Sequence, residues 1–474
     1  MSISEQEIQN IVRNVLQNMG KSEEPTIKTT AVQSKKLMGI FENIEDAIAA
    51  AKAAQKEIQP MPLEFREKII ANIRKKTLEN AKMFAELGVE ETGMGNVGHK
   101  ILKHQLVAEK TPGTEDLSTI AWSGDRGLTL IEQGPFGVIG AVCPSTNPTE
   151  TVICNSIGML AAGNSVVFAP HPSAKNVSNL AIDMVNRASV EVGGPENLAV
   201  AVENPTMDVS KTIFGHKDIS LLVATGGPGV VTTVLSSGKR AMGAGAGNPP
   251  VLVDETANIP KAAEDIVNGA TFDNNLPCIA EKEVIAVSSI TDELMYYMEE
   301  AGCYRANDEE VAKLVSTVLV EKNGKKILNR ECVGRSAKVL LNKIGVTVGD
   351  EIRCIIFKGD KKHPLIEEEL MMPILGIVEV KDVDEGIEVA VELEQGNRHS
   401  AHMHSTNVNN LTKFGKAIDT AIFVKNGPSY SALGFGGEGY ATFTIASRTG
   451  EGLTSAKNFT KSRRCVMCDA LSIR

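Results

Sequence analysis

The chain has 474 residues, of which 42% are apolar, 23% charged and 4% aromatic, with a net charge of −10 at pH 7. One core does not grow to that length, so two or three domains are expected. The acidic balance argues against nucleic-acid partners, and no apolar run is long enough to span a bilayer. Scarce aromatics beside abundant Gly, Ala and Val favour an α/β protein with small-residue packing over a β-sandwich.

In chain order, Ile8, Ile11, Val12, Val15, Leu16 and Met19 fall at helical spacing opposite Glu5, Gln9, Arg13 and Gln17, which predicts an amphipathic helix over 1–20. The polar stretch 21–36 reads as a linker. A stripe tethered outside the main body suits a docking or targeting peptide, with docking onto its own body or fraying as the plainer alternative. The start lacks the basic-then-apolar order of a secretory signal. Eight cysteines without framework spacing point to reduced thiols and a cytoplasmic location.

A helix-rich region follows over 44–110. Strands are predicted at 128–133, 136–142, 165–169 and 218–224, with a helix over 148–162 opened by Pro148 and closed by Gly163-Asn164. This rhythm predicts a doubly wound parallel sheet over 37–240. A second α/β region is expected over 241–425, and a return segment over 426–474.

The candidate nucleophile is Cys278, in Thr271-Phe-Asp-Asn-Asn-Leu-Pro-Cys278. Cys143 and Cys354 lie in or beside apolar strand-like runs, whereas Cys278 follows a polar turn and a proline that fixes φ. A thiol presented by rigid backbone beside amide donors suits covalent catalysis. Thr225-Gly226-Gly227-Pro228-Gly229 follows a predicted strand and precedes a helix, where dinucleotides lie in wound sheets; a plain tight turn remains the alternative. The segment Gly243-Ala-Gly-Ala-Gly247-Asn-Pro-Pro lacks the Gly-Lys-Ser/Thr ending of a P-loop. In Pro144-Ser145-Thr146-Asn147-Pro148, Asn147 reads either as a helix cap or as an oxyanion donor. His399, His402 and His404 lack nearby acidic or cysteine partners and read as structural or pocket-wall residues, so no metal is expected. Cys465-Val-Met-Cys468 has no second CxxC beside it. Lys461-Ser-Arg-Arg464 reads as a solvated or salt-bridging face.

Taken in order, Glu91-Thr-Gly-Met-Gly-Asn, Pro144-Ser-Thr-Asn-Pro-Thr-Glu, Phe168-Ala-Pro-His-Pro, Thr225-Gly-Gly, Gly243 to Val251, Phe272 to Cys278, Glu369-Leu-Met-Met-Pro373, Lys425-Asn-Gly-Pro-Ser-Tyr and Gly434-Phe-Gly-Gly-Glu-Gly439 resemble the aldehyde dehydrogenase superfamily. More narrowly, they resemble the CoA-acylating aldehyde dehydrogenases of bacterial microcompartments, over essentially the whole chain. The resemblance implies a doubly wound cofactor domain, an α/β catalytic domain and an oligomerisation arm using residues near 115–132 and the C-terminal segment. It implies Cys278 as nucleophile, with Asn147 and the Cys278 N–H holding the oxyanion. Ser145, Thr146, Pro170, His171, Thr225, Gly226, Gly227, Gly247 and Glu369 are implied in cofactor binding, with Glu369 on the nicotinamide ribose. It also implies NAD as cofactor, CoA as co-substrate, a homo-oligomer (dimer or tetramer), and residence in a microcompartment by way of the N-terminal helix.

Two departures matter. Hydrolytic relatives carry a glutamate base in the glycine-rich segment, but 241–250 here holds no carboxylate, so water lacks an activator while a thiol such as CoA needs less help. Ala169-Pro170-His171-Pro172 replaces the acidic ribose element, so NAD rests on the resemblance alone. The expected activity is oxidation of propionaldehyde or acetaldehyde to acyl-CoA, reversible, through a thioester. The rivals are a hydrolytic enzyme giving free acid and a non-catalytic cargo or scaffold protein.

Overall fold

A computed structural model describes residues 36–322 and 324–473. The helix expected near the N-terminus and the linker as far as residue 35 lie outside them. The described chain divides into two compact units: residues 36–91, 103–245 and 440 onward in one, residues 92–102 and 246–439 in the other.

The first unit holds strands β1 (Ile40–Phe41), β2 (Ile120–Gly124), β3 (Gly127–Pro135), β4 (Val138–Val142), β5 (Ser165–Ala169), β6 (Ala199–Val202), β7 (Ile219–Thr225) and β8 (Ala241–Ala244). Its helices are α1 (Ile44–Ile58), α2 (Leu63–Thr92, leaving the unit at its last residue), α3 (Val97–Lys110, entering it at Lys103), α4 (Pro148–Ala161), α5 (Lys175–Glu191), α6 (Met207–Gly215) and α7 (Pro228–Leu235). Six strands form a parallel sheet in the order β1-β6-β5-β4-β7-β8. Side chains alternate across a strand, and the core follows that alternation. Ile139, Ala141, Val166, Phe168, Leu221 and Val223 pack with α4 and α5. Val138, Val167, Ala169, Leu222 and Ala224 pack with α1, α6 and α7. Covered on both faces, the strands read as continuous apolar runs, not alternating ones. Helix α4 is buried on every side, starts at Pro148 and stops before Gly163, whose φ of +82° no β-carbon-bearing residue adopts readily.

A separate antiparallel sheet joins β2, β3 and the C-terminal strand Thr460–Cys468, paired from Thr460 opposite Pro135 to Cys468 opposite Gly127. The Lys461 to Arg464 cluster is exposed on it. Cys465 and Cys468 are exposed free thiols, three positions apart and so on opposite faces of the strand.

The second unit contains β9 (Pro250–Val253), β10 (Glu283–Val287), β11 (Cys303–Arg305), β12 (Leu319–Lys322), β13 (Lys325–Leu328), β14 (Cys354–Lys358), β15 (Ile374–Val380), β16 (Ser400–His404), β17 (Ile422–Lys425) and helix α8 (Ile259–Thr271) among others. Seven strands form a parallel sheet, β11-β14-β15-β10-β9-β16-β17, while β12 and β13 make an antiparallel hairpin. The chain thus adopts the expected α/β architecture.

Candidate active site

Cys278 sits between α8 and β10. The preceding residues Asp273, Asn274 and Asn275 all have left-handed backbone, φ 50°, 54° and 66°. Asp and Asn are the β-carbon-bearing residues that enter this region most readily, and their side chains then tie the loop down. Asp273 accepts from the Asn96 N–H at 2.8 Å and from Lys100 Nζ at 3.1 Å, and its own N–H donates to His99 Nδ1 at 2.9 Å. Asn274 Nδ2 donates to the carbonyls of Gly95 and Gly334, and Asn275 Nδ2 to those of Ala270 and Glu281. Gly95 must be glycine: its φ is +88°, and a β-carbon would lie 2.3 Å from Asp273 Oδ1.

Lys282 completes the clamp. Its buried ammonium donates to the Asn275 carbonyl at 3.0 Å, to Asn275 Oδ1 at 2.6 Å and to the Pro277 carbonyl at 3.4 Å. Cys278 keeps some exposed surface, yet its sulfur lies in dense surroundings. Burial first, and then the Glu369 charge, push the thiol up to about 12, while Lys282 and the N–H groups of Cys278 and Ile279 pull the other way. The resting group is therefore a thiol, and Lys282 is the cation favouring its ionisation.

Topology gathers the remaining candidates of this unit. Strands β15, β10, β9 and β16 are consecutive neighbours in the sheet, and the segments immediately before them carry Glu369, Cys278 with Lys282, Gly247 and His399. A β-carbon on Gly247 would meet the His399 ring at 2.8 Å and the Cys278 carbonyl at 3.1 Å. The Gly247 N–H bonds the Glu369 carboxylate. Burial raises Glu369 to about 7 against the pull of Lys282 and that N–H. His399, His402 and His404 are buried, which lowers them to about 4, 3 and 3 and keeps them neutral at pH 7.

In the first unit, β4 lies between β5 and β7. The chain runs outward through β5 and β6 on one side of β4 and through β7 and β8 on the other, so the β4/β7 boundary is a topological switch point. Val142 pairs with both Ala169 and Ala224. The register therefore brings Ser145 and Thr146, Pro170 and His171, and Thr225 to Gly227 to the same carboxyl edge, where wound sheets bind ligands. Thr225 Oγ1 bonds Thr444 Oγ1 at 2.8 Å, and the Gly226 N–H is engaged by the Ala244 carbonyl at 3.0 Å. A β-carbon at Gly227 or Gly229 would meet nothing within 4 Å, and α7 starts there without a side-chain cap. Open glycines at an uncapped helix start fit a dinucleotide phosphate. His171 caps the short helical turn after β5 through its Nδ1.

Asn147 occupies the cap position of α4, but its side chain makes no capping bond. Its Oδ1 accepts from Lys103 Nζ at 2.5 Å and its Nδ2 lies 3.3 Å from Thr146 Oγ1. Lys103 also pairs with Glu150 at 2.9 Å, both fully buried. A lysine ammonium can only donate, so the amide oxygen is assigned to its side and the nitrogen is left as a donor.

Sequence reasoning missed Lys103, Glu150 and Lys282. Lys103 shares a helical face with Leu106 and Val107, a spacing that signals burial. Lys282, flanked by Glu281 and Glu283, reads as a solvated charge run and carries no such signal.

Residues 21–462 match the aldehyde dehydrogenase family. The chain is 47% identical to an acetaldehyde dehydrogenase (acetylating) of Bilophila wadsworthia, covering 100% of both. It superposes with TM-score 0.91 and 65% identity on a propionaldehyde dehydrogenase from the Clostridium phytofermentans fucose utilisation bacterial microcompartment, over 92% of this chain and 100% of that one. A Rhodopseudomonas palustris propionaldehyde dehydrogenase, solved with bound CoA and an acylated cysteine, matches with TM-score 0.90 and 54% identity, over 92% of this chain and 99% of that one. A family match across nearly the whole sequence, joined to such identity over the full length of an acylating relative, means that this chain belongs to the aldehyde dehydrogenase family.

Proposed function

We propose that the protein oxidises a short-chain aldehyde, propionaldehyde or acetaldehyde, with NAD and CoA to acyl-CoA and NADH, reversibly. The observation that carries this reading is a clamped, part-buried Cys278 whose neighbouring glycine segment, 241–250, supplies no carboxylate to activate water. Cys278 Sγ attacks the carbonyl carbon as its proton departs. In this reading the Cys278 N–H and Asn147 Nδ2 are the donors for the oxyanion, the roles the family resemblance implies. The nicotinamide, when bound, supplies the hydride acceptor. Thr225 to Gly227, Ser145, Thr146, Pro170 and His171 line the dinucleotide's edge of the first sheet, and Gly247 holds Glu369 for the ribose. The thioester left on Cys278 is taken by the CoA thiol, which restores the cysteine. The relative solved with CoA and an acylated cysteine supports this route.

The N-terminal segment 1–20 is read as the address that packages the enzyme in a microcompartment, in line with the source of one structural relative. The antiparallel arm is read as the surface of a homo-oligomer. NADH formation from short aldehydes, measured with and without CoA, tests the function. Strict CoA dependence is expected. Full-rate turnover to carboxylate without CoA would establish the hydrolytic alternative, and inertness with every combination would leave a non-catalytic cargo protein.

A further inference from the structure

We propose that Lys103, held by Glu150, is the positioning residue that fixes the Asn147 amide with its nitrogen presented to the oxyanion; this rests on the reading of Asn147 as oxyanion donor. The two ends of a carboxamide are nearly isosteric, and only its neighbours decide which one faces the substrate. A flipped Asn147 would aim a carbonyl oxygen at the developing negative charge. Lys103 forbids the flip, because its ammonium would then meet the amide's own N–H donors instead of Oδ1, now 2.5 Å away.

The ammonium is itself located from behind. Glu150 Oε1 lies 2.9 Å from Lys103 Nζ. Glu150 Oε2 accepts from the Thr149 hydroxyl at 3.1 Å, and that hydroxyl in turn accepts from His104 Nε2 at 2.8 Å. The His104 ring is stacked on Phe84 at 5.7 Å, and the Phe443 ring lies 5.9 Å from Nζ. Lys103 and His104 come from α3, Thr149 and Glu150 from the first turn of α4, where the helix dipole favours a carboxylate. All four side chains are at most 1% exposed. A buried ion pair of this kind is seldom more stabilising than apolar side chains of the same volume, so stability alone gives no reason for it. Lys103 does bond a candidate site residue, Asn147, whose side chain makes no cap for α4.

The test is the first-turnover burst of NADH, measured in the full-length enzyme. Lys103→Met combined with Glu150→Gln removes both charges together and so leaves no unpaired ion. The burst should fall about 10- to 100-fold, short of the about 100- to 1,000-fold expected for Asn147→Ala. Adding Asn147→Ala to the double variant should then cost little more, because one residue acts through the other. Thermal midpoint, NAD affinity and the rate of Cys278 alkylation should stay as in the wild type, and a crystal structure of the double variant should show the amide in both orientations. If the double variant does not fold, Lys103→Gln, whose amide can donate or accept, should lower the burst several-fold. A wild-type burst in the variant used, with Asn147→Ala slow, would overturn the role of Lys103. A wild-type burst in Asn147→Ala would instead overturn the oxyanion reading beneath it.

Discussion

Glu281 lies three residues past Cys278 and is completely buried. Its Oε1 accepts from the Ser429 N–H at 2.8 Å, and Oε2 has no hydrogen-bond partner among the described residues. Burial is the largest cause of a pKa raised from 4.5 to about 8. For a carboxyl raised on folding, the native state binds the proton more tightly, so its stability contribution is full below about pH 4.5 and is lost as pH rises through about 8. Moving a carboxyl from 4.5 to about 8 is worth on the order of 5 kcal/mol between those limits, at about 1.36 kcal/mol for each tenfold change in proton affinity. Glu281→Gln keeps the shape and an acceptor for Ser429 but does not titrate. The variant should match the wild type near pH 5 and become the more stable protein at pH 8.5. At about 2–4 °C per kcal/mol for a unit of this size, the gap in apparent Tm should reach several degrees or more. Melting curves at pH 5.5, 7.0 and 8.5 check this. Parallel curves, with one constant gap at all three pH values, would refute the reasoning, because the carboxyl would then not titrate in that window.

Lys282→Met should slow alkylation of Cys278 by iodoacetamide at pH 8 by about tenfold for each unit by which the thiol rises, and Lys282→Arg should lose less; equal labelling rates in all three proteins would deny the ammonium any hold on the sulfur. Lys100→Met leaves Asp273 buried without its ion-pair partner at 3.1 Å and should cost about 3–5 kcal/mol, read as a lowered melting temperature that Asp273→Asn in the same chain partly restores. Removing residues 1–20 should leave NADH kinetics unchanged and abolish packaging, and loss of folding instead would make that segment structural.

The wound sheet was legible because its strands are buried on both faces and so stand out as apolar runs: 165–169 is a strand as expected, and the predicted helix 148–162 differs from α4 by one residue. The pattern around Asp273, Asn274 and Asn275 was legible as a turn because those residue types tolerate positive φ. What could not be read was which charged residues turn inward. Lys282 becomes a clamp only because a loop of three left-handed residues folds its carbonyls back onto it, and local sequence does not encode that approach. Asn147 shows the converse. Its position before Pro148 marks a helix cap, yet Lys103, 44 positions away, takes its oxygen and leaves the cap unmade.

The two units also use their strands from opposite ends, which bears on the choice between water and CoA. In the first unit the candidate residues follow β4, β5 and β7; in the second they precede β9, β10, β15 and β16. The second arrangement brings three carboxylates not foreseen as bases, Glu281, Glu283 and Glu369, into the unit of the thiol, so a segment 241–250 without acids does not by itself leave water without a base. Burial answers the point. It raises Glu281 to about 8, so that carboxyl is mostly protonated at neutral pH, and a protonated acid cannot accept water's proton; burial pushes Glu283 in the same direction. Glu369, at about 7, is the partly ionised one, but its charge is held by the Gly247 N–H and raises the pKa of the Cys278 thiol. A base spent on that bond is poorly placed to activate water. A thiol acceptor, far more nucleophilic than water at neutral pH, makes the smallest demand on such a base.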